Sequence, residues 1–420
     1  MFVVSRGLKA RIVIVALTFA APGVAAQKLT LEEAWRLAEQ ANPVLRSARA
    51  NRFAAEGQLA ESDVLLRNNP TVSYEPSRLT PRHSDVSGQR YREWSASLSQ
   101  TFEIAGQQRW RREAAQQDIA SLDFSVSELL RQLRADVEER FVRVLALQGR
   151  VNLERENLAL VESAAAVMGK RVAAGEASRL EGNLAAVEAE RTRNQLGLLG
   201  ESLTSARAGL AQVLQLAPES LPEATGDIQR RASYSREALV ESAGKRSQLA
   251  ALERRETAAR SRLELERASV YPDVTLGVNT GRQGSGALGE KVNVVGLFVS
   301  VPLPVFRRNQ AGIGRAMTDL TQAEVERQAA IRDARAAVLA QWTRVEQLRQ
   351  RTARLRASVL PPLEENLRLS QSAFRAGEIG LTELLLVNRQ VLDGRRDALE
   401  AETELRLAQV ALERAAGWTP

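Results

Sequence analysis

The sequence predicts a mainly α protein with a smaller β part, built as a tandem repeat. Three observations carry that prediction. Long runs place apolar residues three and four apart, the period of an amphipathic helix. In each half, two short runs switch to alternation, the period of a strand with one wet face. Landmarks also recur at a fixed interval: Pro70 with Pro272, Gln107 with Asn309 and Gly175 with Gly377, each pair 202 positions apart. A period that long marks a duplicated unit rather than a solenoid. The chain divides into residues 1–26, a first repeat over 27–222 and a second over 223–420. Each repeat reads helix, strand, loop, strand, long helix, tip, helix.

Composition narrows the function. Only 4% of the 420 residues are aromatic, few for a compact core of this length. There is no cysteine, which excludes a disulfide framework, a thiolate metal site and an acylated cysteine. The single histidine, His83, excludes a histidine-rich metal site. Residues 1–26 read as an export signal: Arg6, Lys9 and Arg11 precede the apolar run Ile12 to Ala21, and Val24-Ala25-Ala26 offers small residues for cleavage. Its three bases account for part of the formal charge of +7, leaving +4 (7 − 3) on the exported chain. The remaining bases interleave with acids along helices, so no nucleic-acid partner is expected. No later run approaches the roughly 18 apolar residues of a transmembrane helix.

In order along the chain, Thr30 and Glu33 form a capping box for a first helix, which Asn42-Pro43 breaks. A second helix is expected from about Val44 to Leu66. Val72 and Tyr74 then alternate with polar neighbours. The clearest strand is expected from Tyr91 to Glu103. One face holds Trp94, Ala96, Leu98 and Phe102, with Gln100 the exception; the other holds Ser95, Ser97, Ser99 and Thr101. A long helix follows to about Met168, with a coiled-coil seam through Leu133, Val137, Phe141 and Val144. The second repeat opens its strands at Pro272. A glycine-bearing loop is expected over Gly281 to Gly289, and Pro302 and Pro304 end the next strand. The long helix that follows is expected to reach about Arg368, with a disturbance at Pro361-Pro362.

The tips are the chief candidate site. Both read Ala-Gly-Glu followed by a hydroxyl residue suited to capping the return helix: Gly175, Glu176 and Ser178 in the first repeat, Gly377, Glu378 and Thr382 in the second. Positive φ at each glycine is the structural expectation. Exposed Arg171, Glu176, Arg375 and Glu378 are the candidate partner contacts. No nucleophile–base pair or phosphate-binding loop is visible, so no enzyme activity, catalytic residue, cofactor or resident metal is expected. His83 reads as a solvated loop residue.

Four amphipathic strands cannot close a barrel alone, and an open sheet edge in lipid leaves N–H and C=O groups unpaired. If the strands span a membrane, several chains share one barrel. Three chains supply twelve strands, with the serine face toward a watery lumen and Trp94, Leu98 and Phe102 toward outer-membrane lipid.

The chain resembles the TolC-type outer-membrane efflux proteins over essentially its whole exported length. Its features are most similar to the outer-membrane components of heavy-metal efflux systems of the cobalt–zinc–cadmium type. The most specific residues are Val301-Pro302-Leu303-Pro304-Val305-Phe306-Arg307-Arg308-Asn309-Gln310 and the two tips. The resemblance implies a homotrimer with a twelve-stranded barrel and a long periplasmic α-helical barrel. It also implies a periplasmic adaptor and an inner-membrane pump of the RND type as partners. Many relatives carry a lipidated cysteine after the signal; this chain carries none. The family's acidic ring at the periplasmic entrance is matched by Glu383, while the acidic position three residues on is matched by Leu386. Glu181 is the first-repeat counterpart of Glu383 and is assigned to its capping box. Heavy-metal cations are the expected cargo, with drugs or other small molecules as the alternative. A periplasmic coiled-coil protein without a pore is the competing structural class; it leaves the strands without a role.

Overall fold

The computed structural model describes residues 28–79, 91–217, 219–229, 234–285 and 290–418. The export signal, His83, Pro218 and the end of the glycine-bearing loop, with Gly286 and Gly289, lie outside the described residues.

A short strand β1 (Lys28–Leu29) leads into α1 (Leu31–Ala41) and α2 (Pro43–Asp63). The capping box forms as read, with Thr30 and Glu33 exchanging hydrogen bonds. Asn42 ends α1 and caps α2, whose first residue is Pro43. Next come β2 (Thr71–Leu79), β3 (Tyr91–Phe102), α3 (Gln107–Ala173) and α4 (Arg179–Val213). After β4 (Glu223–Ala224), which pairs in parallel with β1, the plan repeats. It runs α5 (Arg236–Gly244), α6 (Ser247–Ala268), β5 (Val274–Ser285), β6 (Glu290–Ser300), α7 (Gln310–Arg354), α8 (Leu360–Ala376) and α9 (Leu381–Ala416). At 67 residues, α3 is about 100 Å long at 1.5 Å per residue.

The chain is a ribbon four elements wide. The strands lie in the order β2-β3-β5-β6, all antiparallel. Below them the helices take the same order: α2 on α3, α3 on α6, α6 on α7. Lower still, α4 packs on α3, α3 on α9, and α9 on α7 and α8. One long side of the ribbon is therefore β2, α2 and α4; the other is β6, α7 and α8.

Each repeat has its own waist of apolar packing. Val137, Phe141, Val144 and Leu210 bury with Leu29 and Leu45 in the first. Leu239, Val338, Val345 and Leu412 bury with Tyr234, Trp342 and Trp418 in the second. An ionic cluster joins the two: Arg406 on α9, only 2% exposed, binds Glu138 on α3 together with Gln409 and Glu413. Truncating one member would strand a buried charge.

The structure corrects several expectations. The return strand β5 continues to Ser285, so Gly281 and Gly284 belong to a strand rather than a loop. A Cβ on Gly281 would lie 2.6 Å from the carbonyl oxygen of Trp94, and one on Gly277 would meet the Phe298 ring at 2.3 Å. Close approach, not flexibility, places those two glycines. The α3 helix runs past Met168 to Ala173, and α8 runs past Arg368 to Ala376.

The repeat interval is not constant either. Ser73 pairs with Ser97 and Thr275 with Ser300; β5 follows β2 by 202 positions (275 − 73) but β6 follows β3 by 203 (300 − 97). The helix starts agree, since Gly106 and Asn309, both at positive φ, are equivalent N-caps. Asn309 thus matches Gly106 rather than Gln107. The interval returns to 202 at the tips.

The disturbance expected at Pro361-Pro362 is a π turn, Leu355–Val359, in which the Leu360 N–H donates to the Leu355 carbonyl. The prolines have no N–H to donate to the carbonyls one α-turn back, so a wider ring forms there.

Candidate functional site

Both tips close with the same backbone device. The Glu176 N–H donates to Arg171 O at 2.8 Å and the Gly175 N–H to Val172 O at 3.1 Å, with Gly175 at φ +78°. In the second repeat Glu378 donates to Ala373 O at 2.9 Å and Gly377 to Phe374 O at 3.2 Å, with Gly377 at φ +81°. These are left-handed helix C-caps, and they place Glu176, Glu378 and Arg375 on the outside.

The return helices start differently. Ser178 caps α4: its hydroxyl accepts from the Glu181 N–H, and the Glu181 carboxylate accepts from both the Ser178 N–H and its hydroxyl. Those bonds hold the Glu181 carboxyl below the ordinary carboxylate range, the backbone donor contributing most. Thr382 does not cap α9. The N-cap there is Gly380, the counterpart of Ser178, and Thr382 sits exposed in the first turn. Glu383 therefore has no side-chain cap to bind. It stands exposed beside Leu386, which is 57% exposed.

Arg171 is also not a free charge. It is half-buried, its guanidinium 5.2 Å from the centre of the Phe374 ring and 3.0 Å from the Phe374 carbonyl. Phe374 itself is 3% exposed, among Ala164, Met168, Ala185, Leu381 and Leu384. The first tip is thus braced to the second. Phe374, an aromatic beside the tip in an aromatic-poor chain, was the sequence signal for this cluster.

The sheet separates two chemistries. Residues opposite one another share a face. Val72, Tyr74, Trp94, Ala96, Leu98 and Val278 fall on one side. Gln100, the polar exception there, turns its amide to Asn68 O. Ser73, Ser95, Ser97, Ser99 and Thr101 fall on the other, where Ser73 bonds Ser97 at 2.7 Å and Thr101 bonds Thr275 at 2.8 Å. Both outer strands keep one edge unpaired. Among the described residues no helix is long and apolar enough to cross a membrane, and no group of three or more His, Asp or Glu side chains is placed to hold a metal.

A ribbon of this kind, amphipathic strands above a double helical hairpin, is the protomer of an outer-membrane channel. The chain belongs to the outer membrane efflux protein family, whose model matches residues 34–215 and again 238–418. Family membership makes it a channel protein and not an enzyme. The cobalt-zinc-cadmium resistance protein CzcC of Cupriavidus metallidurans is 27% identical over 375 residues, covering 89% of this chain and 86% of that protein. The pyoverdine export outer membrane protein OpmQ of Pseudomonas putida is 25% identical over 77% of this chain and 70% of its own length. In structure the chain superposes on CusC with a TM-score of 0.73 at 18% identity, covering 93% and 92% of the two chains. It superposes on VceC of Vibrio cholerae at 0.74 and 19%, covering 92% and 96%. The fold is TolC-like and its place is the outer membrane, with a large periplasmic helical part.

Proposed function

We propose that three copies of this chain form one outer-membrane duct of a tripartite exporter, carrying heavy-metal cations handed over by a periplasmic adaptor and an inner-membrane pump of the RND type. The observation that carries the assembly is the four-stranded sheet with both edges unpaired. In lipid each unpaired backbone group costs several kcal/mol, and twelve strands from three copies leave no edge. The serine face then lines the lumen and the Trp94–Leu98 face meets lipid. Likeness to CzcC along most of both chains favours metal cargo. With no cysteine and one histidine in the sequence, the duct conducts and the pump selects.

Glu176, Arg375 and Glu378, held outward by the glycine caps, are the adaptor-docking charges. Gly175, Ser178 and Gly377 shape the tips, and Thr382 lies beside them on the exposed first turn. Glu383, free of the capping duty that occupies Glu181, lines the periplasmic entrance, with Leu386 forming an apolar ring just beyond. Three copies of Glu383 on a three-fold axis attract cations and repel anions.

Deleting the gene and scoring growth on cobalt, zinc and cadmium, against dyes and antibiotics, tests the cargo. Sensitivity to drugs alone would replace the metal reading with the drug reading. A heat-modifiable trimer in outer-membrane extracts tests the assembly.

A further inference from the structure

The sheet sorts its charges by face. Opposed residues share a face, and successive residues alternate between faces. Arg78, Arg92, Arg282 and Lys291 stand on the face that carries Trp94, Leu98 and Val278. Glu75 opposite Ser95, Glu93 opposite Ser77 and Glu290 opposite Ser285 stand on the serine face. No acid of β2, β3, β5 or β6 shares a face with a base.

The four bases also form one continuous arc across all four strands. Arg78 lies directly opposite Arg92. Arg282 lies opposite Trp94, which makes it the diagonal neighbour of Arg92. It also lies opposite Asn293, which makes it the diagonal neighbour of Lys291. All four side chains are exposed. Like charges directly opposite destabilise a strand pair, so Arg78 against Arg92 is a repulsion the isolated chain leaves unrelieved. Arg282 Nε donates to Asn293 Oδ1 at 3.2 Å, a neutral partner that leaves its charge uncompensated.

Depth gives the arc its surroundings. One row of that face, Val72, Leu98, Val278 and Leu297, is wholly apolar. Further from the helices Tyr74 and Trp94 pack together, ring centroids 6.3 Å apart. Aromatic side chains gird a membrane barrel where hydrocarbon gives way to headgroups. Arg282 shares a row with Trp94, and the other three bases lie one row beyond. This is the end of the sheet away from α2, α3, α6 and α7. The arc therefore stands at headgroup level in the outer leaflet.

We infer that the arc binds the phosphate groups of the phosphorylated glycolipid that forms the outer leaflet. A phosphate monoester carries a charge of about −1.5 to −2 and three acceptor oxygens. Guanidinium forks meet such oxygens two at a time. A phosphate seated between Arg78 and Arg92 turns their repulsion into a shared contact. The acids, held on the serine face, stay clear of it. Three copies set twelve such bases (4 × 3) around the duct. This inference rests on the facing and the shared barrel proposed above.

The test uses the full-length trimer in neutral detergent, titrated with lipid A, with lipid A freed of its phosphates, and with inorganic phosphate. Native mass spectrometry reads the bound species. Lipid A should be retained; the dephosphorylated lipid and free phosphate should not. Arg78→Gln with Arg92→Gln and Arg282→Gln should weaken lipid A binding on the order of a hundredfold, at about fivefold per base. Lys at the same three positions should restore most of it, which also serves if the Gln variant assembles poorly. Equal retention of the two lipids, or equal binding by the parent and the Gln variant, would overturn the arc. Retention of free phosphate in place of lipid A would make it an anion site and not a lipid site. Facing is read separately, because the chain has no cysteine and an introduced thiol is the only one present. Leu98→Cys should react with a lipid-soluble maleimide and Ser97→Cys with a charged one. The reverse pattern would overturn the facing and the arc together, whereas the expected pattern with phosphate-blind binding would overturn the arc alone.

Discussion

Phe374 carries the clearest test of how the tips are held. Replacing it with Ala removes a ring that is 3% exposed and fills the space between Met168, Leu381 and Leu384. Large-to-small core changes of this kind cost about 3–5 kcal/mol. A hairpin end can collapse partly around the gap, so the lower value, about 3 kcal/mol, applies here. The loss is local, because the cluster touches only the two tips. In amide hydrogen exchange it should appear as more than about a hundredfold faster exchange in residues 165–185 and 374–388, since 1.4 kcal/mol is tenfold. Amides at the waist and in the sheet should not change. Arg171→Met keeps the stem but loses the bond to Phe374 O and the contact with the ring, together about 1 kcal/mol in a half-exposed setting, or about fivefold in exchange. The two effects should not add, because both act through one ring. Unchanged tip exchange in Phe374→Ala would mean that the hairpins are not braced there, and the position assigned to Glu383 would lose its support.

Other outcomes follow from the same structure. Leu98→Arg, on the apolar face, should cost roughly 2–4 kcal/mol of barrel stability, whereas Ser97→Arg should fold and change conductance; equal insertion of both would reverse the facing. Glu383→Gln should weaken cation selectivity and divalent block in single-channel recordings while trimer yield holds. Ser178→Ala should fray the start of α4 by about 1 kcal/mol, seen as faster exchange in residues 179–183. Because the Glu181 carboxyl is lowered from 4.5, its support of that turn is present above pH 4.5 and lost as pH falls through its folded value, seen as faster exchange at the start of α4 in acid. Tyr234, pushed up to about 12 by burial and then by Glu413, against Arg406 and Arg349, should make stability fall as pH rises from 10 toward 12. Tyr234→Phe should remove that alkaline limb in a denaturant titration.

Much of this architecture was legible in the residues because its signals are local. Period-two alternation from Trp94 to Phe102, the glycines at 175 and 377, and the Thr30 and Ser178 boxes each act within a few positions. The cap at α9 was misread because a hydroxyl near a helix start resembles a cap, yet Thr382 sits two residues too late and Gly380 holds the place. The glycines of β5 were misread because their reason, a strand or a ring pressed against them, comes from residues far away in sequence. The same is true of Arg171 on Phe374 and of Arg406 on Glu138, partners 203 and 268 positions apart. No local pattern announces such pairs. A fixed interval of 202 also hid the extra residue in the second strand pair, which shows only when facing strands are compared.

The wide turn at Leu355–Val359 has a consequence for how the lower end is aimed. In α9, Gly394 leaves room for Leu363, whose Cδ1 lies 2.6 Å from where a Cβ would stand. Below it Phe374 points at Met168. A π turn closes on the fifth residue where an α turn closes on the fourth, so it takes up one extra residue; the same extra residue wound into an unbroken α-helix would swing everything beneath it by about 100°. Leu363 would leave its notch and Phe374 would face away from the first tip. The bearing of the second tip is thus kept by a wide turn some 30 Å above it, at about 1.5 Å per residue, which takes up a residue that an α-helix would spend on rotation.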